Sequence, residues 1–239
     1  MSELLLVRHG QASFMSDNYD RLSDLGILQA EALGSRWVND GVRPTHLFAG
    51  TLQRQQRSAQ GVRHAFAAAG ISLPSVQTLP GLDEYPAEVL VESLAPRAAK
   101  SHPEVKRWID AVAKADDKTS QYRAVHRLLE AAMTVWVNDE CDLEGLMMPS
   151  WAAFSAGVRD ALQQARVADS GAVVAVFTSG GPVGIAVQTA LNSPALTAAS
   201  LNWRVRNASV TRFTYSGPRI SLDSFNDVSH LGANQLTYR

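Results

Sequence analysis

One cysteine, Cys141, stands alone in 239 residues, which excludes an internal disulfide framework and makes a reducing, cytoplasmic compartment the expected one. It has no neighbouring metal-ligand pattern and is read as chemically silent. Long apolar runs are also missing. The opening run, residues 4–7, is far shorter than a signal-peptide core, and nothing approaches the ~18 residues a membrane span requires. An excess of one charge is absent as well: 22 lysines and arginines face 23 acidic residues, for a formal charge of -1. Without a broad positive field, nucleic acid and anionic membrane are excluded as expected partners, and small molecules remain. Neither an internal repeat nor a low-complexity tract is present.

What is there suffices for a core. Apolar residues make up 46% of the chain, so it can bury a full interior without disulfide or metal support, as one domain or one domain with an insertion. Short apolar runs at 4–7, 47–49 and 173–177 have the character of strands buried on both faces. Each leads through small residues into helix-compatible sequence. That order predicts an α/β fold, a mostly parallel sheet with helices on both faces.

Helical spacing supports the reading. Leu22, Leu25, Leu28, Ala32 and Leu33 recur at that interval, with Ser23 as N-cap. Ala59, Val62, Phe66 and Ala69 form a second stripe, closed by Gly70. Gly180, Gly181 and Pro182 lead into a third helix over 183–191. Between residues 86 and 149 strands vanish and helix formers dominate, which predicts a helical cap insertion within one 1–239 domain. Strand character returns at 210–215 and 220–225, separated by the turn residues Ser216, Gly217 and Pro218.

Ligands in such sheets bind where strands end, and the residues there share a theme. The first strand delivers Arg8, His9 and Gly10; the second reaches Arg54; the third delivers Thr178, Ser179, Gly180 and Gly181. Two guanidinium groups grip a phosphoryl group through paired N–H bonds, and a glycine-rich turn opening a helix adds backbone donors. Of this set His9 alone serves as a neutral nucleophile near pH 7, and flanking arginines favour its neutral form. Arg57, one turn beyond Arg54, is the alternative second arginine. Gln11 and Ser13 are read as turn residues, and Trp37, Trp108, Trp136, Trp151 and Trp203 as packing anchors.

The wording of these segments resembles the histidine phosphatase (phosphoglycerate-mutase-like) superfamily. Leu5, Leu6, Val7, Arg8, His9, Gly10, Gln11 is similar to its signature; Leu22 to Gly26 with Gln29 and Ala30 is similar to the stretch that follows. Leu52, Gln53, Arg54, Ser58 and Ala59 resemble the second arginine motif, and Asn226, Asp227, His230 and Leu231 a C-terminal segment of structural role. The resemblance implies a phosphohistidine on His9, with Arg8 and Arg54 on the phosphoryl group. It also implies a general acid near residues 82–84, for which Glu84 is the candidate and Asp83 and Glu88 are the substitutes. No metal and no cofactor are implied, and the partner is a small phosphorylated substrate or inorganic phosphate.

One departure matters. After the third strand the family presents a second histidine that donates to the phosphoryl group, and this chain has Ser179 there. Losing one such donor costs on the order of 3 kcal/mol, roughly a hundred- to thousandfold in rate. Ser179 and the Gly180 N–H are candidate replacements; Arg97, Lys100, His102 and His126 are candidate cations from the insertion. The leading expectation is a metal-independent phosphatase, with a mutase chemically adjacent. A binding or regulatory module that has lost turnover is the alternative. A nucleotide-binding protein is disfavoured, because residues 178–181 lack both the dinucleotide glycine spacing and the phosphate-loop lysine. The phosphatase reading requires Arg8, His9 and Arg54 to gather around one oxyanion, with an imidazole nitrogen open to it.

Overall fold

The computed structural model of the chain describes residues 1–13 and 20–238. It divides into two compact units, one formed by Met1–Asp83 and Gly157–Arg239, the other by Glu84–Ala156. The first holds the six strands found among the described residues: β1 (Ser2–Arg8), β2 (His46–Ala49), β3 (Val76–Thr78), β4 (Val173–Thr178), β5 (Val210–Ser216) and β6 (Arg219–Asp227). Their spatial order is β3-β2-β4-β1-β5-β6. The pairs β3/β2, β2/β4 and β4/β1 are parallel, whereas β5 and β6 are added antiparallel at one edge.

The central strands carry unbroken apolar sequence because both faces are covered. Leu5, Val7, Leu47, Ala49, Ala175 and Phe177 pack into one cluster with Leu33, Trp37, Ala59, Val62 and Phe66 of helices α1 (Asp24–Asn39) and α2 (Gln53–Ala68). Leu4, Leu6, Val174 and Val176 point to the opposite face by strand alternation and are equally buried. Ser23 caps α1, accepting from Gly26 N at 3.0 Å. Gly70 follows the end of α2 with φ +74°, the left-handed conformation that ends a helix most easily on glycine.

Two stripe assignments need correction. Leu28 is exposed and Gln29 is fully buried, because the face of α1 turned inward runs through Gly26, Gln29, Ala30, Leu33 and Trp37. Ala69 is exposed because it is the last residue before the chain turns away.

The second unit is helical: α3 (Ala87–Val89), a π-helical turn (Leu90–Leu94), α4 (Ala95–Ala98), α5 (Pro103–Ala113) and α6 (Lys118–Val137), followed by the opening turns of α7 (Trp151–Ala165). Its core is aromatic. Trp136 lies 5.1 Å from Trp151 and 5.6 Å from Phe154 between ring centroids, and its indole N–H donates to Pro149 O at 2.9 Å. Arg97 donates to the carbonyls of Asp142 and Glu144, and His102 faces Glu140 at 3.4 Å, so both side chains are engaged inside this unit. The first unit is completed by α8 (Gly180–Ala190) and α9 (Ala195–Asn202). Among the described residues no helix is long and apolar enough to cross a membrane.

Candidate active site

Register brings the chemistry to one edge of the sheet. Arg8 pairs with Thr178, and His9 N donates to Thr178 O at 2.9 Å, so His9 and Ser179 leave neighbouring strands side by side. Ala49 pairs with Phe177, which sets the turn into α2 beside them. The main chain at His9 is held again from the other side, where Ala208 N donates to His9 O at 3.1 Å.

Two motif glycines make this convergence possible. A Cβ on Gly10 would fall 2.3 Å from Gly26 O, and one on Gly26 would fall 2.2 Å from Gln11 O. The loop leaving β1 therefore crosses the first turn of α1 backbone against backbone. Gly10 N then donates to Ser58 Oγ at 3.0 Å, and Ser58 Oγ donates to Arg54 O at 2.7 Å, which ties the His9 loop to α2. Gln11 and Ser13 hold this loop: Gln11 N donates to Gln29 Oε1 at 2.8 Å, Gln11 Oε1 accepts from Ser23 Oγ at 2.9 Å, and Ser13 N donates to Arg21 O at 2.7 Å.

The tautomer of His9 follows from its partners. Gly10 O is 2.7 Å from Nδ1 and can only accept, so Nδ1 carries the proton. Nε2 therefore holds the lone pair, and it accepts from Arg54 Nε–H at 3.2 Å. Burial first, then the charges of Arg8 and of Arg54, hold the imidazole pKa well below 6.5, so the ring is neutral at physiological pH.

Arg54 is buried and bridges His9 to Asp20, with Nη1 2.8 Å from Asp20 Oδ1. Asp20 Oδ2 accepts from Gln53 N at 2.8 Å, so one carboxylate caps α2 and neutralises its first arginine. Arg57 lies exposed and bonds Gln60. Arg8 directs Nη1 at the carbonyls of Val205 and Tyr238, the latter at 2.9 Å. The expected open nitrogen is not observed: His9 is 4% exposed, and the guanidinium of Arg54 covers its lone pair. The physical reason is local, since a buried lone pair beside a cationic N–H forms a charge-assisted bond.

Ser179 is fully buried and makes no side-chain cap to α8; instead its Oγ accepts from Gln55 Nε2 at 2.9 Å. Gly180 follows it, also buried, where a Cβ would meet Asn202 Oδ1 at 2.3 Å. Asp83 ends the first unit and accepts from Thr51 N at 2.6 Å and from the Thr51 hydroxyl, so its carboxylate serves the turn after β2. Glu84 opens the second unit, and its carboxylate accepts from Tyr85 N at 3.2 Å. Glu88 sits in the first turn of α3. Asn226 has a structural role, with φ +61° and bonds to Arg206 N and Arg204 O at 2.7 and 2.8 Å. Asp20 and Gln55 were not anticipated from the sequence. Gln55 left a signal, because it lies in register with the apolar stripe of Ala59, Val62 and Phe66; Asp20 left none.

The fold thus gathers a neutral histidine and two arginines at the carboxyl edge of an α/β sheet. The chain belongs to the histidine phosphatase superfamily (branch 1), whose family model matches residues 4–133 and 116–228. No curated protein matches it by sequence. Solved structures share its fold. A phosphoglycerate mutase from Bacillus anthracis is 18% identical with a TM-score of 0.61, covering 96% of this chain and 94% of that one. A phosphoserine phosphatase from Entamoeba histolytica, in complex with 3-phosphoglyceric acid, is 17% identical with a TM-score of 0.60, over 96% and 99%. A mycobacterial glucosyl-3-phosphoglycerate phosphatase with inorganic phosphate is 19% identical with a TM-score of 0.59, over 97% and 100%.

Proposed function

We propose that the chain is a cytoplasmic phosphatase acting on a small phosphate monoester, with His9 as the nucleophile. The Nε2 lone pair attacks phosphorus in line, the P–O ester bond breaks, and the departing oxygen takes a proton. Glu84 is assigned that proton by its place in the sequence, its neighbour Asp83 being committed to Thr51. Water then attacks phosphorus and gives its proton to the Glu84 carboxylate. The P–N bond breaks, and the electron pair returns to Nε2.

The observation that carries this reading is the fixed tautomer of a buried, neutral His9, with its lone pair 3.2 Å from the Nε–H of Arg54. A phosphoryl oxygen arriving at Arg54 takes over that N–H, which uncovers Nε2 for attack as the anion is gripped. Arg8, Ser179 and the Gly180 N–H complete the phosphoryl contacts. Similar folds are described with 3-phosphoglyceric acid and with inorganic phosphate, which supports a small phosphorylated ligand. The test is hydrolysis of an aryl phosphate together with trapping of an acid-labile phosphoprotein. Both are expected to disappear in His9→Ala, and activity surviving that change defeats the assignment.

The covered Nε2 and the carbonyl-bound Arg8 favour a second reading, a phosphate-ester binding or regulatory module. Phosphate or vanadate would then raise the melting temperature with no substrate turned over. Ser179→His separates the two, since a phosphatase gains from a measurable base whereas a binding module starts at none.

A further inference from the structure

Resting on the reading of His9 as nucleophile, we infer that Gln55 is a positioning residue that aims the Ser179 hydroxyl at the phosphoryl group. Together they form a neutral donor in the place the family resemblance gives to an imidazole. Gln55 occupies the first turn of α2, directly after Arg54, and is fully buried. Its Nε2 donates to Leu82 O at 3.0 Å and to Ser179 Oγ at 2.9 Å. A carbonyl can only accept, so the orientation of the amide is set by chemistry. Because Ser179 Oγ accepts from the amide, its own proton is directed to another side of the oxygen. Among the described residues that proton has no acceptor, and Ser179 lies beside His9 by strand register.

The amide is not explained by folding. Gln55 Oε1 is buried with no hydrogen-bond partner, a condition native interiors rarely keep without cause. Leu82 O does not depend on it, since Thr178 Oγ1 donates to the same carbonyl at 2.6 Å. Methionine would fill nearly the same volume and remove the unsatisfied oxygen. What methionine cannot do is hold Ser179 Oγ by its lone pair.

The experiment measures kcat and KM on an aryl phosphate for the unaltered protein, Ser179→Ala, Gln55→Met and the double variant, with melting temperatures. Each single change is expected to lower kcat on the order of tenfold to a hundredfold with KM little changed. The double variant should fall no further than Ser179→Ala, and Gln55→Met should melt no lower than the unaltered protein. Gln55→Glu is a second probe: its kcat should rise as pH falls, when the carboxyl takes a proton and regains a donor. An unchanged kcat in Gln55→Met, losses that multiply in the double variant, or a pH-independent Gln55→Glu overturns the positioning role. Turnover that is absent, or that survives His9→Ala, overturns the underlying phosphatase reading and the positioning role with it. Losses that multiply on a background of His9-dependent turnover overturn the positioning role alone.

Discussion

Acid should loosen this fold through His230, and the size of the effect follows from its surroundings. The imidazole is half-buried near Asp227 and Arg36, and burial is the main cause that brings its pKa down to about 4. An unfolded histidine binds its proton near pH 6.5, roughly two and a half units higher. A base with a lowered folded pKa is bound more readily by protons in the unfolded chain, so stability is lost as pH falls from about 6.5 toward 4. At pH 5 the two proton-binding factors differ by about thirtyfold, which corresponds to about 2 kcal/mol; at pH 7.5 they are nearly equal. His9 acts in the same direction, because burial and two guanidinium charges hold it neutral. The difference between the unaltered protein and His230→Gln isolates the contribution of this imidazole and its neighbours. Thermal unfolding at pH 7.5 and 5 should show the gap between the two proteins changing by roughly 4–8 °C in favour of His230→Gln in acid. Melting curves that shift in parallel would refute the assignment of this acid sensitivity to His230.

Three further outcomes follow from the site. Asp20→Asn keeps an acceptor for Gln53 N but removes the anion paired with Arg54, so inorganic phosphate should bind up to about fivefold tighter by titration; weaker binding would make Asp20 a holder of Arg54 rather than a competitor. Arg57→Ala should leave kcat/KM on an aryl phosphate within about twofold, whereas Arg54→Ala should lose on the order of a hundredfold or more; the reverse order would move the phosphoryl contact to the exposed arginine. Gly26→Ala sets a Cβ 2.2 Å from Gln11 O, backbone that cannot rotate away, and should cost more than about 3 kcal/mol in urea unfolding; a stable Gly26→Ala would show that the β1 loop has freedom the packing denies it.

The elements legible from sequence are those whose burial is complete. Strands β1 and β4 carry unbroken apolar runs, residues 4–7 and 173–177, because helices cover both faces, and such runs need no periodicity to be recognised. Strand β3 is three residues long at the sheet edge with two of them exposed, so no apolar pattern marked it. Helix α1 was legible in existence and not in orientation. Gln29 takes a core position there because its amide accepts from Gln11 N and donates to Gln235 O and Thr237 Oγ1, satisfying itself across 206 and 208 residues of sequence. Local periodicity cannot see a polar residue whose partners are that remote.

The same distance in sequence divides the site into a readable and an unreadable half. His9, Arg8 and the two glycines could be read because their chemistry or conformational demand is intrinsic to the residue type. Asp20 could not, since a carboxylate in a turn is ordinary until the fold sets it against Arg54, 34 residues away. Gln55 is intermediate: it breaks the apolar stripe of its own helix, a local conflict of the kind expected where function overrides packing. Such conflicts gather at this one edge, where Arg8, His9, Arg54, Gln55 and Ser179 are all buried and where hydrocarbon would fold at least as well. A buried oxygen without a partner and two guanidinium charges gathered at one buried imidazole are both unfavourable for the empty fold. An arriving dianion changes the sign of the second of these, since it takes the arginine N–H and leaves the imidazole nitrogen as the base it already is. The site is thereby destabilised in the absence of a ligand by the same arrangement on which the proposed role of His9 rests, and phosphate binding should stabilise the fold most where Arg54 is intact.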